Sequence, residues 1–440
     1  MRRILKMRLF VAAALLIQPT TPLKTVGIVG AGPAGLTLAV ALNRALPDVA
    51  VTIFDRSDSC RPALGGGVQL NSGAAVLARL DPALGAAVAA AGQPVRRVRS
   101  RTAGGDALLD LDLASAIRGD ARARERGLVD ADGDVRAYTI MRDALQATLR
   151  DALGSQTTLK LGAAVEGIRT AAAGGAEVAL ADGTARRFDL VAGCDGVRGA
   201  ARGASRPAAE PLAVLGRRVR IRWGVSSAPS RAARDELHQW FGPDGVYCLA
   251  GSYGGVDGRA FDQCVVVSPA RGAVGAEAWD DGASAVTRDA MVAQLRAAAM
   301  PADVVALAES CDRCFELGAE YVNPLPAWRG DSEASVLLGD AAHAMPPFLG
   351  QGTNQAIQDA ACLADKLVAV RAGDLADVDA ALAAYESDRK LAVARLGFNS
   401  VVLGAVETLA PEGFRDAFFR TTAALGVAKM VFLDGATPKV

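Results

Sequence analysis

Histidine is scarce in this chain, two among 440 residues, and the one close cysteine pair, Cys311 and Cys314 in CDRC, has neither a second pair nor a nearby histidine. That excludes the usual zinc sites, and no metal is expected. Seven cysteines is an odd number without a regular framework; ordinary thiols are the plain reading and a reactive dithiol at CDRC the alternative. Net charge is missing as well. Lys plus Arg and Asp plus Glu are both 48, the arginines are scattered, and without a basic tract no nucleic-acid partner is expected. The sequence also lacks internal repeats, low-complexity tracts and, beyond the N-terminus, any apolar run that reads as a clear membrane span.

What the chain does have is apolar bulk. Hydrophobic residues make up 51% and the mean hydropathy is +0.22, ample for a large core in a globular chain longer than one usual domain. At the start, MRRILKMR is basic, LFVAAALLI is apolar and QPTTP breaks the run. This is the charge order of a targeting leader with a poor cleavage site, and the apolar part is too short to cross a bilayer. Residues 1–24 are therefore read as a possible leader, with an extra helix or tail as the alternative. Location stays open between the cytoplasm and a secretory or organellar compartment.

The stretch TVGIVGAGPAGLTLAVALNRALPDVAVTIFD, Thr25 to Asp55, carries the first functional signal. Val26 to Val29 reads as a buried strand, Gly30, Gly32 and Gly35 allow a tight turn with close backbone approach, and Leu36 to Leu46 has apolar residues at helical spacing. A pyrophosphate would meet the free N–H groups of that helix start, next to Ala34. Pro33 suits the first helical turn, where its missing N–H has no intrahelical partner anyway. Asp55, followed by Arg56, ends a second strand about 20 residues past the last glycine, where a carboxylate takes a ribose hydroxyl. Its charge disfavours a 2′-phosphate. The turn is read as holding the adenosine half of a dinucleotide other than NADP.

Further along, the simple alternation of strand and helix is interrupted. Gly65 to Leu80 reads as glycine loop, strand and helix; Arg96 to Asp112 as strands; Gly119 to Asp134 as a polar loop; and Arg142 precedes a helix through Leu145, Leu149 and Leu153. ADGT marks a hairpin before a buried strand ending at Asp195 and Gly196. Pro211 to Val267 alternates and breaks at glycines, as an antiparallel sheet does. A last strand leads into a glycine and proline loop and a helix starting near Gly352, and Leu375 to Val440 is Ala-rich and mostly helical. The fold class expected is α/β: a Rossmann-type parallel sheet in three pieces (25–95, 128–205 and 328–372), interleaved with an antiparallel substrate domain (96–127 and 206–327) and closed by a helical region (373–440).

Three separated motifs give this chain a family likeness. It resembles the single-component flavin monooxygenases built like para-hydroxybenzoate hydroxylase, which include salicylate hydroxylases, kynurenine monooxygenases and zeaxanthin epoxidases, over about Thr25 to Arg389. Besides the glycine turn, CDGVRGAAR is similar to that family's second signature, with Asp195, Gly196 and Arg202. LLGDAAHAMPPFLGQGTNQAIQDA is similar to its third, and YESDR, Tyr385 to Arg389, to a helix that follows. Three positions depart from the pattern: Gly199 for a serine, Ala344 for a proline and Asp55 for a glutamate.

The resemblance implies one FAD. Gly339 and Asp340, Pro347, Gly350, Gln351, Gly352, Thr353 and Asn354 would meet its ribityl and flavin parts, and Arg142 its phosphate region. The lesser alternatives are Asp340 as a simple helix N-cap and Arg142 as a solvated helix start. It also implies transient NADPH or NADH binding without a second dinucleotide turn, and reaction with O2 to a flavin hydroperoxide that hydroxylates or epoxidises a small aromatic or isoprenoid substrate. Pro346, Pro347 and Phe348 would help keep that pocket dry. His343 reads as structural. His238 and Arg222 are the weak catalytic candidates: His238 is a base or a packing residue, and Arg222, with Arg218 and Arg220 on one strand face, is a binder of a substrate carboxylate or part of a solvated face. A related reductase or halogenase, or a flavin-binding module without turnover, is the rival reading, although the WxWxIP element of halogenases is missing: GVSS follows Trp223.

Overall fold

The computed structural model describes residues 23–59, 66–172, 174–205, 219–228, 235–270, 281–319, 321–330 and 334–440. Most of the leader, Cys60 and Arg218 lie outside them. Five strands form a parallel sheet in the order Ser335–Leu337, Leu190–Gly193, Thr25–Val29, Ala50–Phe54 and Thr157–Lys160. Side chains alternate across it. Val26, Ile28, Ile53 and Leu190 face the helices Pro33–Ala45 and Gly352–Ala372, while Val29, Phe54 and Val191 face a small sheet made by Val165–Thr170 and the hairpin Ala176–Leu180 and Ala185–Phe188. With both faces covered, these strands read as continuous apolar runs.

The second, ten-stranded sheet runs Arg313–Gly318, Val219–Ser226, Ala260–Pro269, Tyr247–Gly254, Glu236–Phe241, Arg97–Thr102 and Ala107–Asp112, with three short strands beside it. It departs from the antiparallel expectation where Glu236–Phe241 runs parallel to Arg97–Thr102, and again where Gly254 pairs in parallel with Ile140 of the short strand Tyr138–Met141. Parallel neighbours need a long connection. Here the chain between them passes back through the parallel sheet, so the two strands of each pair come from separate excursions. The polar stretch from Gly119 is also not all loop: Leu113–Gly119 and Ala121–Glu125 are helices. Asp112 and Asp120 start them by accepting from the amides of Ser115 and Ala123, both at 2.8 Å.

Three helices end the chain, Val378–Leu409, Glu412–Ala424 and Val427–Ala436. The first is long and apolar enough to cross a membrane by length and composition, but it packs on the core, which is consistent with the reading of no clear membrane span. It buries Ala381, Leu382, Tyr385 and Val393 in the nucleotide-side core. Its Arg389 is fully buried and donates from Nε to Asp359 Oδ1 at 2.8 Å and from Nη2 to Gln355 Oε1 at 2.7 Å. Asp359 Oδ2 faces His343 Nε2 and accepts from the Gly339 amide at 3.0 Å. Burial by itself would raise the Asp359 carboxyl; the neighbouring His343 and Arg389 overcome that and hold it below its ordinary value.

Removing one partner of a buried pair leaves the other charge stranded, which costs about 3–5 kcal/mol. Asp359→Ala should therefore lower stability by that amount, read as the shift in urea midpoint at unchanged slope; a change below about 1 kcal/mol would show that the pair does not hold the helices together.

Candidate functional site: two adjoining cavities

The carboxyl ends of the parallel strands open into a cavity of about 670 Å³. All three motifs meet there: Gly30, Gly32 and Ala34 from the first, Asp195, Gly196 and Gly199 from the second, and Asp340, Gly352 and Thr353 from the third, with Asp55, Arg56 and Arg142 on the rim. Each glycine of the turn has its own task. Gly30 has φ +104° and a Cβ there would lie 2.5 Å from the Cys194 carbonyl oxygen; one at Gly35 would lie 2.0 Å from the Gly30 oxygen. At Gly32 a Cβ would meet nothing within 4 Å. That space lies at the start of the helix Pro33–Ala45, which suits a phosphate.

Asp55 does more than await a ribose. It accepts from the Ala31 amide at 2.7 Å and the Ser57 amide at 2.8 Å, so the carboxylate also braces the glycine turn. Gln146 does the same from the other side, donating to the Ala31 carbonyl at 2.7 Å. Asp195 accepts from the Ala201 amide at 2.9 Å, while its Oδ1 is buried with no hydrogen-bond partner among the described residues. Burial raises its pKa, against the pull of those amides. The departure at Gly199 has a steric reason, since a Cβ there would sit 2.0 Å from the Asp195 carboxyl carbon. Arg202 donates to the Ala341 carbonyl at 3.2 Å, tying the second motif to the third.

In the third motif Gly339, with φ +59°, is itself the N-cap residue of a short helix, and Asp340 follows it, exposed in the cavity. Arg142 is an exposed helix start on the cavity rim. Asn354 does not line the cavity: its Oδ1 accepts from the amides of Asn71 and Gly73, both at 2.9 Å, and its Nδ2 donates to the carbonyls of Gln69 and Gly350. It is a brace. These features fit an extended dinucleotide with two phosphates, and FAD needs groups distant in sequence, as found here.

A second cavity of about 360 Å³ adjoins along the same loop. Pro347, Phe348, Leu349 and Gln351 wall it, while the next residues, Gly352 and Thr353, wall the first. Its other walls are apolar side chains of the ten-stranded sheet, among them Ile221, Leu249 and Val265, and of the C-terminal helices. Neither catalytic candidate of the sequence reading lines it. Arg222 is held by Glu316 at 2.9 Å and Gln294 at 2.8 Å, and Arg220 reaches the same Glu316. His238 lies one residue from the cavity-lining Gln239 and so on the other face of the strand, near Arg101 and stacked on Trp240. Burial, then Arg101, lower its pKa.

The sequence reading passed over Glu407, which does line this cavity and is 1% exposed. Its one available signal is a lone acid inside the apolar stretch VVLGAVETLA. Tyr247 and Gln239 lie beside it, and its Oε2 is buried with no hydrogen-bond partner among the described residues. Burial pushes its pKa up to about 8, against the lowering effects of Tyr247, Gln239 and Arg415.

A family model described as "FAD binding domain" matches residues 24–399. Over 371 residues the chain is 31% identical to a protein of Stigmatella aurantiaca named aurachin C monooxygenase/isomerase, covering 83% of this chain and 85% of that one. Among solved structures it is similar to Klebsiella pneumoniae HpxO complexed with FAD and uric acid, with TM-score 0.74 and 20% identity over 94% of this chain and 97% of the other. It is likewise similar to a salicylate hydroxylase substrate complex, with TM-score 0.69 and 19% identity over 95% and 98% of the two chains.

The raised Glu407 pKa has a consequence for stability. From its ordinary value of 4.5 up to about 8 the folded chain keeps a proton that the unfolded chain has released, so stability falls as pH rises through this window and levels off above it. Glu407→Gln should remove that fall. The difference in thermal midpoint between variant and wild type should move in the variant's favour from pH 5 to pH 8, on the order of the window that linkage defines; a constant difference would show that Glu407 ionises normally.

Proposed function

The chain belongs to the FAD-binding-domain family of FAD-dependent monooxygenases, and on that premise we propose that it uses NADPH or NADH and O2 to hydroxylate or epoxidise a small aromatic or isoprenoid-like substrate. One observation carries this reading: the loop Pro347 to Thr353 forms a wall of both the polar cavity and the apolar one. A cofactor held in the first would thus present its reactive end to a substrate held in the second.

Gly30, Gly32 and the start of the helix Pro33–Ala45 would take the pyrophosphate, Asp55 the ribose, and Asp340 a ribityl hydroxyl. Arg142 and Arg56 on the rim would offer positive charge to the phosphates. The amides at Gly352 and Thr353 begin a 21-residue helix, whose positive end favours negative charge on the ring system. FAD, when bound, supplies the chemistry that no side chain has: it accepts two electrons from the nicotinamide and activates O2. The protein's part is to orient and to dry. Phe348, Leu349, Ile221 and Val265 exclude water where the reacting carbon would lie. NAD(P)H would bind transiently, because the described residues hold one glycine turn of the dinucleotide type.

Purified protein should release FAD on denaturation and should consume NADPH or NADH in step with oxygenated product from a panel of phenols, aromatic heterocycles and isoprenoids. Bound FAD with no coupled product from any of them would favour a flavoprotein with another task. Asp340→Ala should weaken FAD about ten- to a hundred-fold, the worth of one charged hydrogen bond of about 1.5–3 kcal/mol, and leave the unfolding midpoint of the apoprotein in place. Equal affinities in a flavin fluorescence titration would remove Asp340 from the site.

A further inference from the structure

The C-terminal helices expose more apolar surface than core packing explains. On the helix Val378–Leu409, the side chains of Leu391, Phe398, Val402 and Leu409 are all exposed, and their spacing of seven, four and seven residues puts them on one face. The most apolar 18-residue stretch of that helix is 39% buried, so packing on the core accounts for only part of its apolar character. Leu425, in the turn between the last two helices, is 72% exposed, and Met430 is 62% exposed. These side chains border an opening. Phe398, Val402, Thr422, Val427 and Val431 line the apolar cavity, so Leu425 lies between two lining residues in the chain and Met430 next to a third.

The rim of the opening carries charge of one sign in excess. A cleft beside it shares Asn399 and Val431 with the apolar cavity and is lined by four cations, Arg122, Arg395, Lys429 and Lys439, against two acids, Asp120 and Asp434. Asp434 is committed to Arg395 at 2.6 Å and to Lys439 at 2.9 Å, and Asp120 caps a helix by accepting from the Ala123 amide at 2.8 Å. Arg122 and Lys429 are exposed and form no ion pair among the described residues. In a chain whose formal charge is zero, this surplus is local. We propose that this face docks on a lipid bilayer with anionic headgroups: Phe398, Val402, Leu425 and Met430 enter the boundary between headgroups and acyl chains, and Arg122 and Lys429 meet the phosphates. The long helix lies on the bilayer and does not cross it, because its other face, with the charged Arg389, is built into the core. In that pose the apolar cavity opens towards the acyl chains, and an apolar substrate enters it without passing through water.

A bilayer fits this face better than a second copy of the chain does. About a twofold axis through the opening, two copies would set Arg122 and Lys429 against the same groups and would seal the mouth of the cavity. An anionic surface pairs with the surplus charge and leaves the mouth facing a medium in which apolar compounds concentrate. Apolar side chains at a helical turn, with cations set beside them, are also what a segment needs to lie in an interface. Single exposed leucines need no such account, but apolar side chains grouped at the mouth of a cavity do. Docking of this kind goes beyond the oxygenase reading and is independent of which reaction the cavity hosts.

The test is sedimentation of the full-length, FAD-loaded protein with sucrose-filled vesicles, of phosphatidylcholine alone or with phosphatidylglycerol as about a third of the lipid. Wild type should bind the anionic vesicles about tenfold or more tightly than the neutral ones at low salt, and the difference should shrink at high salt. Leu425→Glu and Met430→Glu alter exposed side chains outside both cavities; each should weaken vesicle binding about tenfold or more while FAD content and thermal midpoint stay in place. Lys429→Glu should lower the preference for anionic over neutral vesicles. Failure of wild type to bind either vesicle would overturn the proposal. So would binding that Leu425→Glu and Met430→Glu leave intact, which would move the contact elsewhere, the N-terminal stretch MRRILKMRLFVAAALLI included. A dimer in light scattering that Leu425→Glu dissociates, without vesicle binding, would give the face to a second copy and overturn it too. None of these readouts involves turnover, so the oxygenase reading stands or falls separately.

Discussion

Everything that forms the two cavities hangs on one buried carboxylate, Asp359. It sits on the helix Gly352–Ala372, holds the amide of Gly339 at the end of the strand Ser335–Leu337, faces His343, and pairs with Arg389 of the long helix Val378–Leu409. A charge at this depth is stable only with its partners in place. The pairing therefore fixes three elements against one another at once. The first presents Gly352 and Thr353 to the nucleotide cavity, the second presents Asp340 to the same cavity, and the third carries Glu407 and Phe398 to the apolar one. Trp328, fully buried, packs tilted against both, its ring centroid 5.1 Å from that of His343 and 5.7 Å from that of Tyr385.

Asn354 performs the corresponding work on the neutral side. All its hydrogen-bonding groups are used on backbone, from Gln69, Asn71 and Gly73 across to Gly350. The strand Gly67–Leu70 is thereby held to the loop between the cavities, and its residues divide in the same way as the loop does: Val68 faces the nucleotide cavity and Gln69 the apolar one. Two segments far apart in sequence thus form one partition. A partition fixed from both ends can keep polar and apolar chambers distinct while leaving them in contact.

How far these features are legible in the sequence depends on whether they are local. The glycine turn, the Asp195 strand end and the Gly339 loop are each set by backbone needs within a few residues: a positive φ at Gly30 and Gly339, close approach at Gly35, a helix start at Gly352. Those needs leave a readable residue type. The apolar cavity leaves none, because its walls come from the large sheet and from three helices that meet only on folding. Alternation places Arg220, Arg222 and His238 on strands, but it does not say which sheet face is the chamber. Glu316 on the next strand claims both arginines, and the face of Gln239 and not of His238 is the inner one. Likewise the parallel pair between Glu236–Phe241 and Arg97–Thr102 is invisible locally, since nothing in either strand records its partner's direction.

The same division bears on what can vary. The residues that would meet the cofactor sit at strand ends and helix starts that the buried network and the glycines over-determine, so change there disturbs the fold as well as the site. The residues that face the apolar chamber from the C-terminal helices are under no such constraint. Phe398 and Val402 line the chamber and are still 64% and 41% exposed, so they form its outer edge. Glu407, further along the same helix, is fully enclosed beside Tyr247 and Gln239 of the large sheet. A scaffold built in this way can exchange one substrate for another by altering a single helix face, with the redox half left untouched. Among the described residues lining that chamber, Glu407 is the one ionisable carboxyl, set among largely apolar side chains, and its burial is offset in part by Arg415 from the next helix.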